Sequence, residues 1–133
     1  MKNARGFSLV EVLVSIVIVA IGLLGMAGLT AAGLKSNNTS YYRSQATVLA
    51  NDILDRMRAN AVQARGQQYD VAAGPAYTAA GGTLELFDCQ EWVAAIAAAM
   101  PGGTGTVDVN AGTATIVINW DAGESSFTTI SRL

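Results

Sequence analysis

The sequence predicts an α+β fold: a long N-terminal α-helix, half apolar and half amphipathic, packed on a small antiparallel β-sheet with one extra short helix. Three observations predict it. Residues 12–34 run for 23 positions without a charge. Apolar or small residues then recur at helical spacing as far as Ala61. After Pro101-Gly102-Gly103 the period switches to two, and β-branched residues cluster in three short runs.

The N-terminal segment comes first. Lys2 and Arg5 precede the stretch Gly6-Phe7-Ser8-Leu9-Val10-Glu11, and the uncharged run follows it. As a helix that run spans roughly 35 Å, enough to cross the hydrocarbon core of a bilayer. Positive charges on its N-terminal side predict a cytoplasmic N-terminus. A cleaved secretory signal is the competing reading. The run is longer than the roughly 7–15 residues of a signal's apolar core, and no clean small-x-small cleavage site precedes a polar domain. Ala27, Ala31 and Ala32 keep that alternative open. A plain membrane anchor accounts for the length and the charges. It does not account for Glu11, a carboxylate at the head of an apolar helix, where ionised groups are rare and usually paired.

The order of basic leader, glycine, phenylalanine, glutamate and apolar helix resembles the N-terminus of type IV pilins and of the pseudopilins of type II secretion. The resemblance implies that an inner-membrane prepilin peptidase and methyltransferase cuts between Gly6 and Phe7 and N-methylates Phe7. It implies that Glu11 meets the Phe7 amine of a neighbouring subunit. Burying a lone carboxylate in an apolar bundle is costly, and a close opposite charge recovers that cost. Such a pair also favours one axial register over others. The partners implied are other minor and major pilins, the inner-membrane assembly platform and, before assembly, membrane lipid. The location implied is the inner membrane with a periplasmic globular domain, then a surface filament of the kind that serves attachment and twitching motility.

Gly22, Gly25, Gly28 and Gly33 punctuate the apolar helix, each costing about 1 kcal/mol relative to alanine. Small residues let helices approach closely, as at Gly28-x-x-x-Ala32. Alternatively Gly22, Gly25 and Gly28 mark where the helix loosens, which the resemblance supports. Both readings stay open.

The polar stretch Lys35-Ser36-Asn37-Asn38-Thr39-Ser40 is expected not to break the helix. Beyond it Tyr42, Ala46, Leu49, Ile53, Met57 and Ala61 define one apolar face. Arg43, Gln45, Asn51, Asp52, Asp55, Arg56 and Arg58 occupy the other. Asp52 and Arg56 are spaced as a helix-stabilising pair. One helix over 7–65 would measure roughly 90 Å. The run Asp55-Arg56-Met57-Arg58-Ala59-Asn60 and the stretch Gly22-Leu23-Leu24-Gly25-Met26 resemble the PilV group of minor pilins. Asp55, Arg56 and Arg58 are either a solvated helix face or contacts to a neighbouring minor pilin. Asn38-Thr39-Ser40 matches a glycosylation acceptor, a triplet common by chance.

Residues 66–82 read as a loop containing Pro75. Asp88 is the expected N-cap of the extra helix, with Glu91 placed for a capping box. Trp92, Val93, Ile96 and Met100 follow at helical spacing, and Pro101 ends the helix near Ala99 or Met100. Strands are expected over 106–109, 113–120 and 127–132, with turns at Asn110-Ala111-Gly112 and over 121–125. The domain plan is therefore a leader at 1–6, an apolar helix at 7–34, its amphipathic continuation at 35–65 and a small α+β domain at 66–133. The type IV pilin resemblance implies the same roll.

Composition narrows function. There is no histidine, so the commonest general base and metal ligand is missing. The lone Cys89 forms no internal disulfide or multi-cysteine metal site and reads as a small buried hydrophobe, with intermolecular pairing or lipidation as alternatives. Gly102-Gly103-Thr104-Gly105 lacks the lysine and helix of a phosphate loop and reads as a turn. Trp92 and Trp120 read as core. No catalytic residue, metal or cofactor is expected, and the chain reads as a substrate of processing enzymes rather than an enzyme. Loss of Lys2 and Arg5 takes the net charge from −2 to −4, which gives no basic footprint for nucleic acid. Many pilins staple the C-terminal region with a disulfide, and this chain does not. That departure favours an accessory minor pilin that primes assembly over a major subunit. The alternatives are a type II secretion pseudopilin, or a pilus-tip subunit for adhesion or DNA uptake.

Overall fold

The computed structural model describes residues 7–72 and 82–133. Helix α1 spans Leu9–Ala59, α2 Ala61–Arg65 and α3 Leu84–Ala99. Three strands follow, β1 at Thr104–Asn110, β2 at Thr113–Trp120 and β3 at Ser125–Arg132, with a 3-10 turn at Asp121–Gly123. The chain divides between Thr39 and Ser40 into two compact units.

In the first unit the helix is apolar, long enough to cross a membrane, and exposed as far as Asn38. Its hydroxyls bond to the carbonyl one turn back, Ser15 Oγ to Glu11 O at 2.7 Å and Thr30 Oγ1 to Met26 O at 2.9 Å. The same device operates at Thr39, whose Oγ1 donates to Lys35 O at 3.1 Å. Polar side chains that serve their own helix leave its ladder intact. The helix therefore passes through the polar stretch at 35–40 without a break, as expected.

In the second unit α1 packs on the sheet through Ala46, Ala50, Ile53, Leu54 and Met57, all buried. Tyr42 and Leu49 pack at the margin of the same core. The expected face is right, widened by Ala50 and Leu54. The helix does not reach Arg65 unbroken. At Asn60 the backbone leaves the helical region (φ −119°, ψ 49°), and a short helix, α2, resumes at Ala61. Asn60 Nδ2 donates to Tyr69 Oη at 3.4 Å, and the short helix delivers Ala64 and Tyr69 to the core, both fully buried.

The expected loop at 66–82 is also more structured where it is described. Tyr69 and Val71 are core residues, and Val71 pairs with Val107 on the outer edge of β1. Residues 73–81 of that loop, like the expected leader at 1–6, lie outside the described residues.

Helix α3 begins at Leu84, a turn earlier than expected, with Thr83 as its extended N-cap (φ −89°, ψ 155°). Asp88 is therefore not the cap. Leu84, Glu85 and Leu86 are good helix formers that extend the helix, and the Asp88 carboxylate is taken by partners from elsewhere. The helix ends at Ala99 before Pro101, as expected.

The sheet is antiparallel in the order β1-β2-β3. Side chains alternate strictly, with Val107 and Val109 of β1 and Ala114, Ile116, Ile118 and Trp120 of β2 buried. The turn between them uses Ala111 (φ 48°) and Gly112 (φ 76°), the two positive values that a tight primed hairpin turn requires. Strand β1 starts two residues before the expected Thr106 because Gly105 faces Trp92 and Ile96. A Cβ at Gly105 would lie 2.5 Å from Ile96 Cδ1 and 2.6 Å from Trp92 Cη2. Only glycine lets the strand lie so close to α3. Both tryptophans are core, Trp92 at 0% and Trp120 at 1% exposure.

Candidate assembly site

Ser8 and Glu11 together open α1. Ser8 Oγ accepts the Val10 N–H at 3.3 Å, and Ser8 O accepts the Glu11 and Val12 N–H groups at 3.0 and 3.2 Å. Ser8 is thus the N-cap, and Glu11 stands in the first turn. The Ser-x-x-Glu spacing of a capping box carries this signal in the sequence, and the reading of Glu11 as an oddity passed over it. A carboxylate in the first turn gains about 0.3–1 kcal/mol from the helix dipole at an exposed position. That is well short of the several kcal/mol needed to take an ion out of water. The cap explains why a carboxylate is comfortable on the isolated helix. It does not explain one in an apolar bundle.

Phe7, Glu11 and Ser15 lie along one face with Val12, Ile16, Val19 and Leu23, and Phe7 is 82% exposed. Among the described residues no cation forms an ion pair with Glu11. Gly6 lies outside the described residues. Gly22, Gly25 and Gly28 are regular helix, and a Cβ at any of them would meet nothing within 4 Å. Nothing among the described residues therefore demands glycine at these three positions.

Asp55, Arg56 and Arg58 separate into two groups. Arg56 is engaged inside the domain. Its Nε meets Asp52 Oδ2 at 3.1 Å, and its Nη1 meets Asp88 Oδ1 at 3.1 Å and Glu91 Oε2 at 2.7 Å. Asp88 also accepts the Tyr69 hydroxyl at 2.7 Å. The network ties α1, α3 and the segment after α2 together. Hydrogen bonding to Glu91 and Asp88 pushes the Arg56 guanidinium further towards its charged form, against the opposing effect of burial. Burial, then the bond to Asp88, pushes the Tyr69 hydroxyl up to about 12. Asp55 and Arg58 pair at 3.2 Å on the exposed side, and Arg58 Nη2 donates to Ser131 Oγ at 3.0 Å. Sequence spacing exposes the Asp52–Arg56 pair but not the links from Arg56 to Asp88 and Glu91, which lie more than thirty residues away in the chain.

Cys89 is fully buried, its Sγ 3.8 Å from Tyr69 O, and burial pushes its thiol up to about 12. It is packing, as expected, and not a reactive thiolate.

Residues 1–27 match the family model of the prokaryotic N-terminal methylation motif. That motif supports a type IV pilin or pseudopilin in general terms, a family that assembles with other pilins, and the apolar helix fits a membrane anchor. No curated protein and no solved structure matches the chain.

Proposed function

We propose that this chain is a minor pilin of a type IV pilus, of the PilV type. It is a structural subunit that joins other minor pilins in the complex priming pilus assembly. The observation that carries the reading is the methylation motif set on an exposed apolar helix. In this reading 1–6 is a leader, the cut falls between Gly6 and Phe7, and Phe7 becomes a methylated amine. Glu11, without an ion pair among the described residues, then meets that amine on a neighbour. Glycines at 22, 25 and 28 serve contacts or helix loosening that only the assembled state requires. Asp55 and Arg58, exposed on α1, are the residues of the Asp-Arg-Met-Arg run best placed for a neighbouring subunit. The globular domain stays periplasmic until the filament carries it to the surface.

Mass spectrometry of the chain from cells with and without the prepilin peptidase tests the processing. The expected product begins at Phe7 and carries one added methyl group. A deletion strain tests the machine. Lost piliation supports the minor-pilin reading, while lost exoprotein release with intact pili points to a type II secretion pseudopilin. Normal piliation with lost attachment or DNA uptake points to a tip binding subunit.

A further inference from the structure

The two edges of the sheet are treated differently. On β1 the backbone groups facing away from β2 belong to Gly105, Val107 and Val109. Gly105 lies against Trp92 and Ile96 of α3, and the groups of Val107 and Val109 are each hydrogen-bonded. Val107 exchanges two hydrogen bonds with Val71, at 2.9 and 3.1 Å. Val109 N–H donates to Asp70 Oδ1 at 3.0 Å, and Val109 O accepts from Gln67 Nε2 at 2.9 Å. The segment 67–71 therefore seals that edge.

Strand β3 has no such cover among the described residues. Leu133 N–H bonds back to Gly112 O at 2.9 Å, which fixes the phase of the ladder. In that phase the N–H and C=O groups of Ser126, Thr128 and Ile130 point away from β2. The strand pairs with β2 over eight consecutive positions without a bulge. It contains no proline, and its one charge is Arg132. Folded proteins normally blunt a long edge with bulges, prolines, charges or a covering loop, because an open edge is a template for another strand. Among the described residues β1 has the cover, and β3 has none of these devices in its middle.

We propose that the β3 edge is a docking site for an extended segment of another protein, which adds a fourth strand through main-chain hydrogen bonds. The charges at its ends state the partner's chemistry. Asp121 and Glu124 stand exposed just before β3, and Arg132 stands exposed at its far end, beside Arg58, whose charge is already met by Asp55. The incoming strand is uncharged in the middle, basic beside Glu124 and acidic beside Arg132. A second copy of β3 fits this poorly. Antiparallel pairing of two like edges needs a two-fold axis normal to the sheet, which reverses the α1 segment packed on it, whereas a membrane or filament holds subunits parallel. The proposal rests on the pilin reading in setting a second copy aside and in where it seeks the partner, among proteins of the same envelope assembly.

The test uses the full chain in its own cells. A photo-reactive phenylalanine analogue is placed at Ile130, and at the exposed Asp108 of the sealed edge as the control. Irradiation should give an adduct with a different protein at position 130, at least tenfold above position 108, mapping to an extended segment. In the same chain Thr128→Pro removes one outward N–H and leaves the β2 ladder alone, so the adduct should fall at least tenfold while the melting transition is retained. Should that variant unfold, Ser126→Pro removes another outward N–H and replaces it. An adduct at 130 no stronger than at 108, an adduct only between copies of this chain, or one indifferent to proline in a folded variant overturns the proposal. Peptidase-dependent cleavage, measured on the wild-type chain alone, reports separately on the pilin reading.

Discussion

Replacing Arg56 by methionine separates two roles for the same residue. The Arg56 side chain is 26% exposed and touches three carboxylates of different burial. Glu91, 72% exposed, contributes at most about 1 kcal/mol as a surface pair. Asp52, 44% exposed and one turn away, adds about 0.3–0.5 kcal/mol. Asp88 dominates, because its side chain is only 15% exposed. A hydrogen bond to a charged group is worth about 1.5–3 kcal/mol, and after the change only the Tyr69 hydroxyl would remain to it. Methionine keeps much of the aliphatic stem, so packing loss is small. The expected cost of Arg56→Met is about 2–4 kcal/mol. For a unit of this size that lowers Tm by roughly 10–25 °C. Thermal melts of the full chain in detergent, followed by far-ultraviolet circular dichroism, measure it. Asp88→Asn supplies the second leg of a double-mutant cycle, and the double variant should lose clearly less than the sum of the singles. A melt within about 2 °C of wild type, or strict additivity, refutes the structural assignment and returns Arg56 to the pool of partner contacts.

Further expectations follow from other contacts. Gly105→Ala should destabilise by about 1–3 kcal/mol through overpacking against Trp92 and Ile96, with partial rescue by Ile96→Val, which removes the nearest methyl, both read from urea melts. Trp92→Phe should cost more than Trp120→Phe, since Trp92 Nε1 donates to Leu49 O at 2.8 Å, whereas Trp120 Nε1 has no partner among the described residues. Glu11→Gln should leave membrane insertion unchanged and lower recovery in the filament fraction, and equal recovery would remove the pairing with a neighbour's amine. The domain should also weaken as pH rises from 9 towards 12. Burial raises Cys89 from 9.0 and Tyr69 from 10.0, each to about 12, so in that window the folded state keeps protons the unfolded chain has released, and stability falls with pH. Cys89→Ala should flatten the onset of that fall near pH 9.

Local rules made much of the fold legible. Strand β2 matches its expected bounds at Thr113 and Trp120, because β-branched alternation between two turns leaves little choice. The amphipathic half of α1 was readable from spacing alone. What escaped reading depends on distant partners. Asp88 looks like a cap in its local context, and only Arg56 and Tyr69 make it an interior link. Val71 sits in a glycine-rich, loop-like stretch, and only β1 gives it a strand partner. The break at Asn60 follows from the need to bring Ala64 and Tyr69 inside, which no window of 60–65 reveals. Of the candidate site, the order of glycine, phenylalanine and glutamate at 6, 7 and 11 stands in the sequence, inside the matched residues 1–27. The division of labour between Arg56 and its neighbours Asp55 and Arg58 was not, because burial of one face of α1 by α3 decides it.

The lone thiol has a practical consequence. Cys89 is the one cysteine in the chain, and it is sealed in the core beside Tyr69. An alkylating reagent can reach it only when α3 lifts away. Under native conditions the modification rate therefore counts openings of the domain, as amide exchange does. The same seal leaves a cysteine introduced on the surface as the one site open to a label. The molecule thus carries its own clock for the loosening of α3, readable in detergent, in a bilayer or in an assembled fibre without altering a single residue.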